Sequence, residues 1–238
     1  WQFYADELQA DTEYELTLQD SSGNFLCASW PLSTFPAPDQ NPENVRVLFY
    51  TCAGGPEGEY FGIGDRRGNL PIAIRQRLLK RGLSFAPQAA VANGDHIYWD
   101  LHTWQGDQAG ELSDAGQQSN FNYAERVKGG SNEKAMKLAA GPQIVPLYGT
   151  DFRSTPVYFL QDDHDHWEND SPLTYPVPWF QLQLARTTQQ LYYPEFLPDA
   201  TRSPRLPYST SSPRGDPPES FGTMRYGQRL EGRRYEVR

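Results

Sequence analysis

The chain has 238 residues, a formal net charge of −9 and a pI near 4.9. An acidic chain without clustered Lys and Arg lacks the positive surface that phosphate contacts require, which argues against readout of a nucleic-acid duplex. No apolar stretch approaches the length of a membrane span, and no signal peptide is visible near Trp1. Cys27 and Cys52 allow one disulfide or two free thiols, so a disulfide-dense scaffold is excluded.

The sequence pattern of residues 1–42 predicts the last strands of a small β-sandwich domain, followed by a linker. Tyr14, Leu16 and Leu18 alternate with polar residues, residues 21–24 form a turn, and residues 25–30 return as a second strand. Two or three strands are rarely stable alone, so we expect the rest of a sandwich to precede them or this hairpin to pack on the domain after it. Prolines in residues 35–42 are typical of a linker.

Residues 43–238 predict an α/β domain. An apolar run at 44–50 is followed by a predicted helix at 70–82 and a buried strand at 88–92, which together make a βαβ unit with parallel strands. The predicted helix has Pro71 at its first position and Gly82 at its end, and its apolar stripe consists of Ile72, Leu78 and Leu79.

The second half of the chain is less regular. A helical zone at 120–140 is interrupted by Gly129-Gly130, and residues 144–150 are expected to lead toward a third strand at 156–160. A proline-rich surface loop is predicted at 194–220, followed by strand-like alternation at 221–238.

Each predicted parallel strand ends in residues that can bind a metal or move a proton. The first ends at Thr51-Cys52, the second at Gly94-Asp95-His96-Ile97-Tyr98, and the third at Asp162-Asp163-His164-Asp165. Individually these residues have ordinary interpretations as turn, core or surface residues. Jointly they favour a site, because the carboxyl ends of parallel strands share one edge of a sheet. Carboxylate, imidazole, phenolate and thiolate are ligand types for hard or borderline metals.

The same residues resemble the motifs of the PhoD-like alkaline phosphatases, within the calcineurin-like metallophosphoesterase superfamily. The matching segments are Tyr50-Thr51-Cys52, Gly94 to Tyr98, and Asp162 to Asp165 followed by Asn169. The resemblance runs from about residue 10 to the end of the chain. It implies a four-layer α/β/β/α fold preceded by a β-sandwich, with an extracellular or periplasmic location. On this interpretation, residues 43–238 are the N-terminal half of the metallophosphatase domain.

The resemblance also implies a multinuclear site with ferric iron and calcium. Cys52, Asp95 and Tyr98 would ligate one metal, with Cys52 and Asp95 also placed to bridge to a neighbour. Asp163 and Asn169 match further ligand positions. The implied catalytic residues are Asp163 and His164, with His164 near the leaving group.

The implied activity is hydrolysis of a phosphoric ester, a phosphomonoester or a phosphodiester, by metal-activated hydroxide. The family has a further Gly-Asp-x-His type motif downstream, but no histidine follows His166 in this chain. Arg225 to Gln228 resembles the middle strand of the family's domain. We therefore expect the site to be completed by the C-terminal half of the same enzyme or by a second chain.

Two other functions fit the residues. An acidic, aromatic-rich, β-rich chain is also typical of a calcium-binding carbohydrate or cell-surface module without catalysis. A hydrolase with paired carboxylates such as Asp100 and Asp163 would need no metal. The roles of the other histidines stay open. His96, next to Asp95, fits an outer-shell partner that orients a ligand, and His102 fits a surface-loop residue. His166 either points away from His164 or joins it, depending on the turn.

Overall fold

The computed structural model describes residues 3, 5–55, 70–100, 116, 119–167, 178–193 and 224–232, and the backbone alone of 102–103, 113–114, 222–223 and 233–234. Within these ranges the molecule is a mixed α/β fold. Its strands are β1 (Glu13–Leu16), β2 (Trp30–Ser33), β3 (Val47–Tyr50), β4 (Ala89–Asn93), β5 (His102–Thr103), β6 (Ser113–Asp114), β7 (Val157–Leu160), β8 (Gly222–Tyr226) and β9 (Leu230–Arg234). Its helices are α1 (Ile72–Leu83), α2 (Ser131–Tyr148) and α3 (Trp179–Tyr192), with a 3-10 turn at His164–His166.

A three-stranded parallel sheet lies at the centre, in the order β3-β4-β7. Residues 47–50 pair with 89–92, and residues 90–93 pair with 157–160. Helix α1 connects the first two strands, as the predicted βαβ unit requires. The three predicted parallel strands are confirmed, each within a few residues of its expected position.

The main hydrophobic core lies between this sheet and helices α2 and α3. Met136, Ala140 and Ile144 of α2 join Phe159 of β7 and Leu184 of α3 in one buried cluster. A second cluster packs α1 against the same sheet through Leu79, Ala90 and Leu147. The sheet is therefore anchored by apolar packing, and its carboxyl edge carries loops on a rigid base.

Helix α1 confirms the prediction at 70–82, with one correction to its buried stripe. Pro71 stands just before the first helical residue, and Leu79 is buried as expected. Leu78 is 59% exposed, and the buried position that joins Leu79 is taken by Arg75. The Arg75 guanidinium donates to the carbonyls of Ala53 and Gly54, which fixes the loop after β3.

Helix α2 departs from the prediction. It begins at Ser131, directly after Gly129-Gly130, and continues to Tyr148 through Pro142 and Pro146. Residues 120–130 form turns and bends rather than helix. Residues 144–148, which were expected to lead toward a strand, are instead the last part of the helix. Burial of one face against the sheet outweighs the hydrogen bonds that the prolines remove. In the described ranges, no helix is long and apolar enough to cross a membrane.

The β1–β2 hairpin forms, but its second strand comes later than predicted. Tyr14 and Leu16 share the inward face, yet β1 pairs with residues 30–33 rather than 25–30. Phe25 makes an isolated bridge to Gln19 and is 66% exposed. Arg153, between α2 and β7, lies 5.7 Å over the Trp30 ring, so the hairpin contacts the central domain.

The proline-rich linker packs against a second hairpin, β8–β9. The Phe35 ring lies 5.3 Å from the Tyr226 ring, and the N–H of Gly227 donates to the Pro36 carbonyl at 3.3 Å. Strand-like alternation near the end of the chain is confirmed for 222–226 and 230–234. Residues 227–229 form the turn, so only part of the predicted middle strand is extended. The predicted loop at 194–220 lies outside the described residues.

Candidate metal centre

Three loops meet at the carboxyl edge of the parallel sheet, and each carries predicted site residues. Cys52 follows β3, Asp95 follows β4, and the Asp163-His164 pair follows β7. The loops are joined through the backbone: the Cys52 N–H donates to the Gly94 carbonyl at 3.3 Å, and the Gly94 N–H donates to the Leu160 carbonyl at 3.2 Å. The parallel topology thus brings together residues up to 112 positions apart in the chain, counted from Cys52 to His164.

The backbone of these loops is strained at two ligand-type residues. Cys52 has a φ of 53° and Asp95 a φ of 59°, in the left-handed region that residues with a side chain rarely adopt, Asn and Asp less rarely than the others. Such conformations cost about 1–3 kcal/mol each and persist where the surroundings fix them, often at functional sites. Here they turn both side chains toward one point, because the Cys52 Sγ lies 3.1 Å from the Asp95 Oδ2.

Asp95 lies at the centre of the cluster. Its Oδ2 accepts hydrogen bonds from the Cys52 thiol at 3.1 Å and from the Tyr98 hydroxyl at 3.3 Å. Its Oδ1 is buried and has no hydrogen-bond partner among the described residues. Burial raises the pKa of the Asp95 carboxyl, and the neighbouring carboxylates of Asp165 and Asp163 add to the rise. A buried carboxylate oxygen without a partner is costly unless a ligand satisfies it.

Asp163 and His164 complete a group of three potential ligands with Asp95. One ligand atom from each residue can be chosen so that all three lie within 4.8 Å of one another. Asp163 is 6% exposed and Asp95 8% exposed, so the carboxylates are largely withdrawn from water. Two buried carboxylates so close together favour a cation between them. Asn169, the remaining predicted ligand, lies outside the described residues.

His164 is held by a carboxylate that the metal-site motifs did not indicate. Its Nδ1 lies 2.7 Å from the Asp100 Oδ1. Desolvation lowers the pKa of His164, but the Asp100 hydrogen bond and the charges of Asp100, Asp163 and Asp95 outweigh it, so the net pKa is raised. With Nδ1 donating to Asp100, the Nε2 atom is available either to coordinate a metal ion or to exchange a proton.

Tyr98 contacts both His164 and Asp95. Its ring centroid lies 4.3 Å from that of His164, and its hydroxyl donates to Asp95. Burial, followed by the charges of Asp95 and Cys52, raises the pKa of Tyr98, so the phenol is protonated in the metal-free protein. A phenolate at this position requires a strongly charged cation beside it. Desolvation likewise raises the pKa of the Cys52 thiol, with the Asp95 charge contributing.

Two side chains of the third motif, the Asp165 carboxylate and the His166 imidazole, face inward. The Asp165 carboxylate accepts backbone N–H bonds from Asp95, His96, Ile97 and Asp162 at 2.8–3.0 Å. Burial raises the pKa of Asp165 to about 7, against the opposing effect of these four donors. Asp165 was a potential metal ligand by its type, but its oxygens are occupied by the backbone. His166 is 1% exposed.

His96 is part of the scaffold. Its Nε2 lies 2.8 Å from the Leu160 carbonyl and 3.2 Å from that of Ala92, which links the ends of β7 and β4. Its ring packs edge-on against Phe159 at 5.2 Å.

Both Cys27 and Cys52 are free thiols, which resolves the disulfide alternative. The side chain of His102 lies outside the described residues.

The donor set fits a metal ion. Asp95 and Asp163 supply carboxylate oxygens, His164 an imidazole nitrogen, and Cys52 and Tyr98 a sulfur and a phenol oxygen around the same Asp95 carboxylate. This mixture of oxygen, nitrogen and sulfur suits borderline transition metals better than calcium alone. The unpartnered Asp95 Oδ1 supplies an acceptor that the described protein does not use.

A cleft of about 220 Å³ opens next to Cys52. Its walls are mostly apolar, and Leu78 of α1 lines it, which accounts for the exposure of that residue. Of the cluster residues, Cys52 is the one that lines this cleft.

No family model matches the chain, and no curated protein matches it.

Proposed function

We propose that the protein is a metal-dependent phosphoric ester hydrolase acting on a phosphomonoester or phosphodiester. The observation that carries the proposal is the convergence of Cys52, Tyr98 and the Asp163-His164 pair around the Asp95 carboxylate, whose Oδ1 has no hydrogen-bond partner among the described residues. The resemblance to the PhoD-like alkaline phosphatases supports the same function. A four-layer α/β/β/α fold and an extracellular or periplasmic location belong to this proposal.

The residues that would hold the metal are Cys52, Asp95, Tyr98, Asp163 and Asn169. Ferric iron suits the side with the thiol and the phenol, and calcium suits carboxylate oxygens. When bound, the ions would supply Lewis-acid chemistry, neutralising phosphate charge and lowering the pKa of water at the site. Asp163 and Asp95 are rigidly placed for this role, since both are buried on loops that leave the sheet.

His164 supplies the proton in the proposed reaction, and in this role its Nε2 does not bind a metal ion. The oxygen of water forms a bond to phosphorus, the ester P–O bond breaks, and the imidazolium gives a proton to the departing oxygen. One proton of the attacking water then returns to the imidazole, so that an alcohol and a phosphate product leave and His164 regains its starting form. Asp100 orients the ring through Nδ1 and favours its protonated form. The apolar cleft beside Cys52 offers a surface for the organic part of the ester.

We further propose that residues not present in this chain complete the site. The resemblance calls for a Gly-Asp-x-His type motif that does not occur after residue 170. The C-terminal half of the same enzyme or a second chain would provide it. Assays therefore use the full natural protein with any polypeptide that co-purifies.

The test is turnover of p-nitrophenyl phosphate and bis-p-nitrophenyl phosphate, with and without a chelator. We expect Asp95→Asn and His164→Gln each to lower kcat by about 100-fold or more, as expected for loss of a ligand or a general acid. Asp151→Asn is the matched control, because Asp151 pairs with Lys80 at the surface, 3.3 Å away. Iron binding should give a visible absorption band that Tyr98→Phe removes.

Normal turnover in Asp95→Asn would overturn the proposal. Calcium binding without turnover or a visible band would support the binding-module alternative instead. Glycosidase activity that survives chelation would support the paired-carboxylate alternative, although Asp100 is already bound to His164.

A further inference from the structure

We infer that Asp165 is a positioning residue that locks two ligand-bearing loops together, so that the donors of the cluster converge before any ligand binds. Asp165 is 2% exposed. Its two oxygens reach backbone donors of both the loop after β4 and the loop after β7. It acts through Asp95 and the Asp163-His164 pair, not by touching substrate.

The hydrogen bonds divide between the two oxygens in a specific way. Oδ1 accepts from His96 at 3.0 Å and from Ile97 at 2.8 Å, both in the loop after β4. Oδ2 accepts from Asp95 at 2.9 Å and from Asp162 at 3.0 Å. Because Asp165 itself lies in the loop after β7, the three bonds from residues 95–97 tie that loop to the loop after β4, and the bond from Asp162 is local to its own loop.

This bridge is needed because the backbone it holds is strained. Asp95 has a φ of 59°, and its neighbour Gly94 has a φ of 79°. Positive φ at a residue with a side chain persists only when the surroundings fix it. The N–H of Asp95 is held by Asp165, so Asp165 maintains the backbone conformation that aims the Asp95 carboxylate at the cluster.

Only a carboxylate satisfies all four donors. An ionised carboxylate is acceptor-only, with lone pairs on both oxygens, whereas an amide replaces one oxygen with an N–H donor. Asp165→Asn would leave two of the four N–H groups facing another donor, whichever way the amide turns. The substitution therefore weakens the lock with little change in side-chain volume.

The first experiment is amide hydrogen exchange of the full chain in the presence of a chelator. In Asp165→Asn we expect exchange to rise about tenfold or more at residues 95–97 or 162, because two of these amides lose a buried hydrogen bond. Exchange in helix α2, residues 131–148, should stay unchanged. Asp165→Glu keeps a carboxylate and should restore part of the protection, and it decides the question if Asp165→Asn does not fold. Asp151→Asn is the matched control.

The second experiment is a titration with Co²⁺ alone, followed by visible absorption. Its interpretation rests on the proposed metal site. We expect Asp165→Asn to bind Co²⁺ about 10- to 100-fold more weakly than wild type, as for other groups that orient metal ligands. Asp151→Asn should bind with the wild-type affinity.

The exchange result stands apart from the phosphatase proposal, because it needs neither metal nor substrate. Unchanged exchange at residues 95–97 and 162 in both Asp165 variants would overturn the positioning role. Uniformly faster exchange that includes helix α2 would also overturn it, since that pattern means general destabilisation. Wild-type protein that takes up no Co²⁺ would count against the metal site and leave the exchange result to decide the role of Asp165.

Discussion

Two buried polar side chains, Asn132 at the start of helix α2 and Asp95 after β4, are 1% and 8% exposed. Asn132 is fully satisfied: its Oδ1 accepts from the backbone N–H of Asn122 at 2.9 Å, and its Nδ2 donates to the carbonyls of Asn122, Glu125 and Arg126. The Asp95 Oδ1 has no partner among the described residues.

The contrast shows that hydrogen-bond satisfaction separates the two roles better than burial does. Asn132 closes the turn at residues 122–126 onto the helix, so its interactions hold the fold together. Asp95 leaves a polar atom unsatisfied, which costs free energy in the folded protein. Such a cost is tolerated where a ligand offsets it.

The largest expected effect is on stability at Asn132. Asn132→Ala removes the partners of one N–H and three carbonyls, and we expect a loss of about 3 kcal/mol in the free energy of unfolding. Urea unfolding checks this value. The control is Lys134→Ala, at an exposed position in the first turns of the same helix, which should change stability by about 0.5 kcal/mol or less.

The same unfolding experiment on Asp95→Asn should move in the opposite direction. In metal-free protein, an amide costs less to bury than a carboxylate, so we expect stability to be unchanged or to rise by about 1 kcal/mol. A loss as large as that of Asn132→Ala would mean that Asp95 holds the fold in the way Asn132 does. The comparison between the two regions would then fail.

A smaller loss is expected at a glycine where two of the ligand loops are in close contact. Gly94 has a φ of 79°, and a Cβ there would lie 2.4 Å from the Cβ of Asp162. Gly94→Ala should cost about 2 kcal/mol, from backbone strain and from forcing the two loops apart. The same shift should weaken binding of Co²⁺.

Gly129→Ala is the matched control for that prediction. Gly129 also has a positive φ, 87°, but a Cβ there would have no heavy atom of the described residues within 4 Å. Its substitution therefore measures the backbone strain alone, about 1 kcal/mol. Equal losses at the two glycines, read from paired thermal and urea unfolding curves, would show that the contact with Asp162 adds nothing.

Much of the central sheet could be predicted from the sequence, and the reason is local. Short apolar runs that end in polar clusters identify parallel strands. Their shared direction then predicts that the site lies at the carboxyl edge of the sheet. The start and end of α2 could not be predicted in this way. The sequence pattern placed the helical zone at 120–140 and a lead toward a strand at 144–150, whereas burial of Ile144 and Leu147 against the sheet keeps those residues helical through Pro142 and Pro146.

The sequence predicted which loops carry the candidate site, but not which of their side chains face it. Asp163 and Asp165 are two residues apart and identical in type, yet one contributes a ligand atom to the cluster and the other binds four backbone N–H groups. The 3-10 turn at His164–His166 sends them in different directions, which spacing alone does not show. The pairing of Asp100 with His164 likewise depends on tertiary structure.

The smallest effect concerns charge in the satisfied region. Glu133 accepts from Lys137 and from the N–H of Gly129 at 2.7 Å, and these two contacts hold the pKa of its carboxyl below the usual value of 4.5. Because the pKa is lower in the folded state, the stabilisation is present above pH 4.5 and is lost as the pH falls through the folded-state value. Glu133→Gln should therefore lose about 0.5 kcal/mol at pH 7.

Unfolding curves at several pH values measure that difference. The gap between wild type and Glu133→Gln should close on acidification and should shrink in 1 M salt, because exposed charges are screened. A Lys137→Met background separates the ion pair from the hydrogen bond to Gly129, since only the second contact survives there. A gap that stays constant with pH would mean that the carboxylate charge contributes nothing at this helix start. Shape and neutral hydrogen bonds, as in Asn132, would then account for the stability of the whole region.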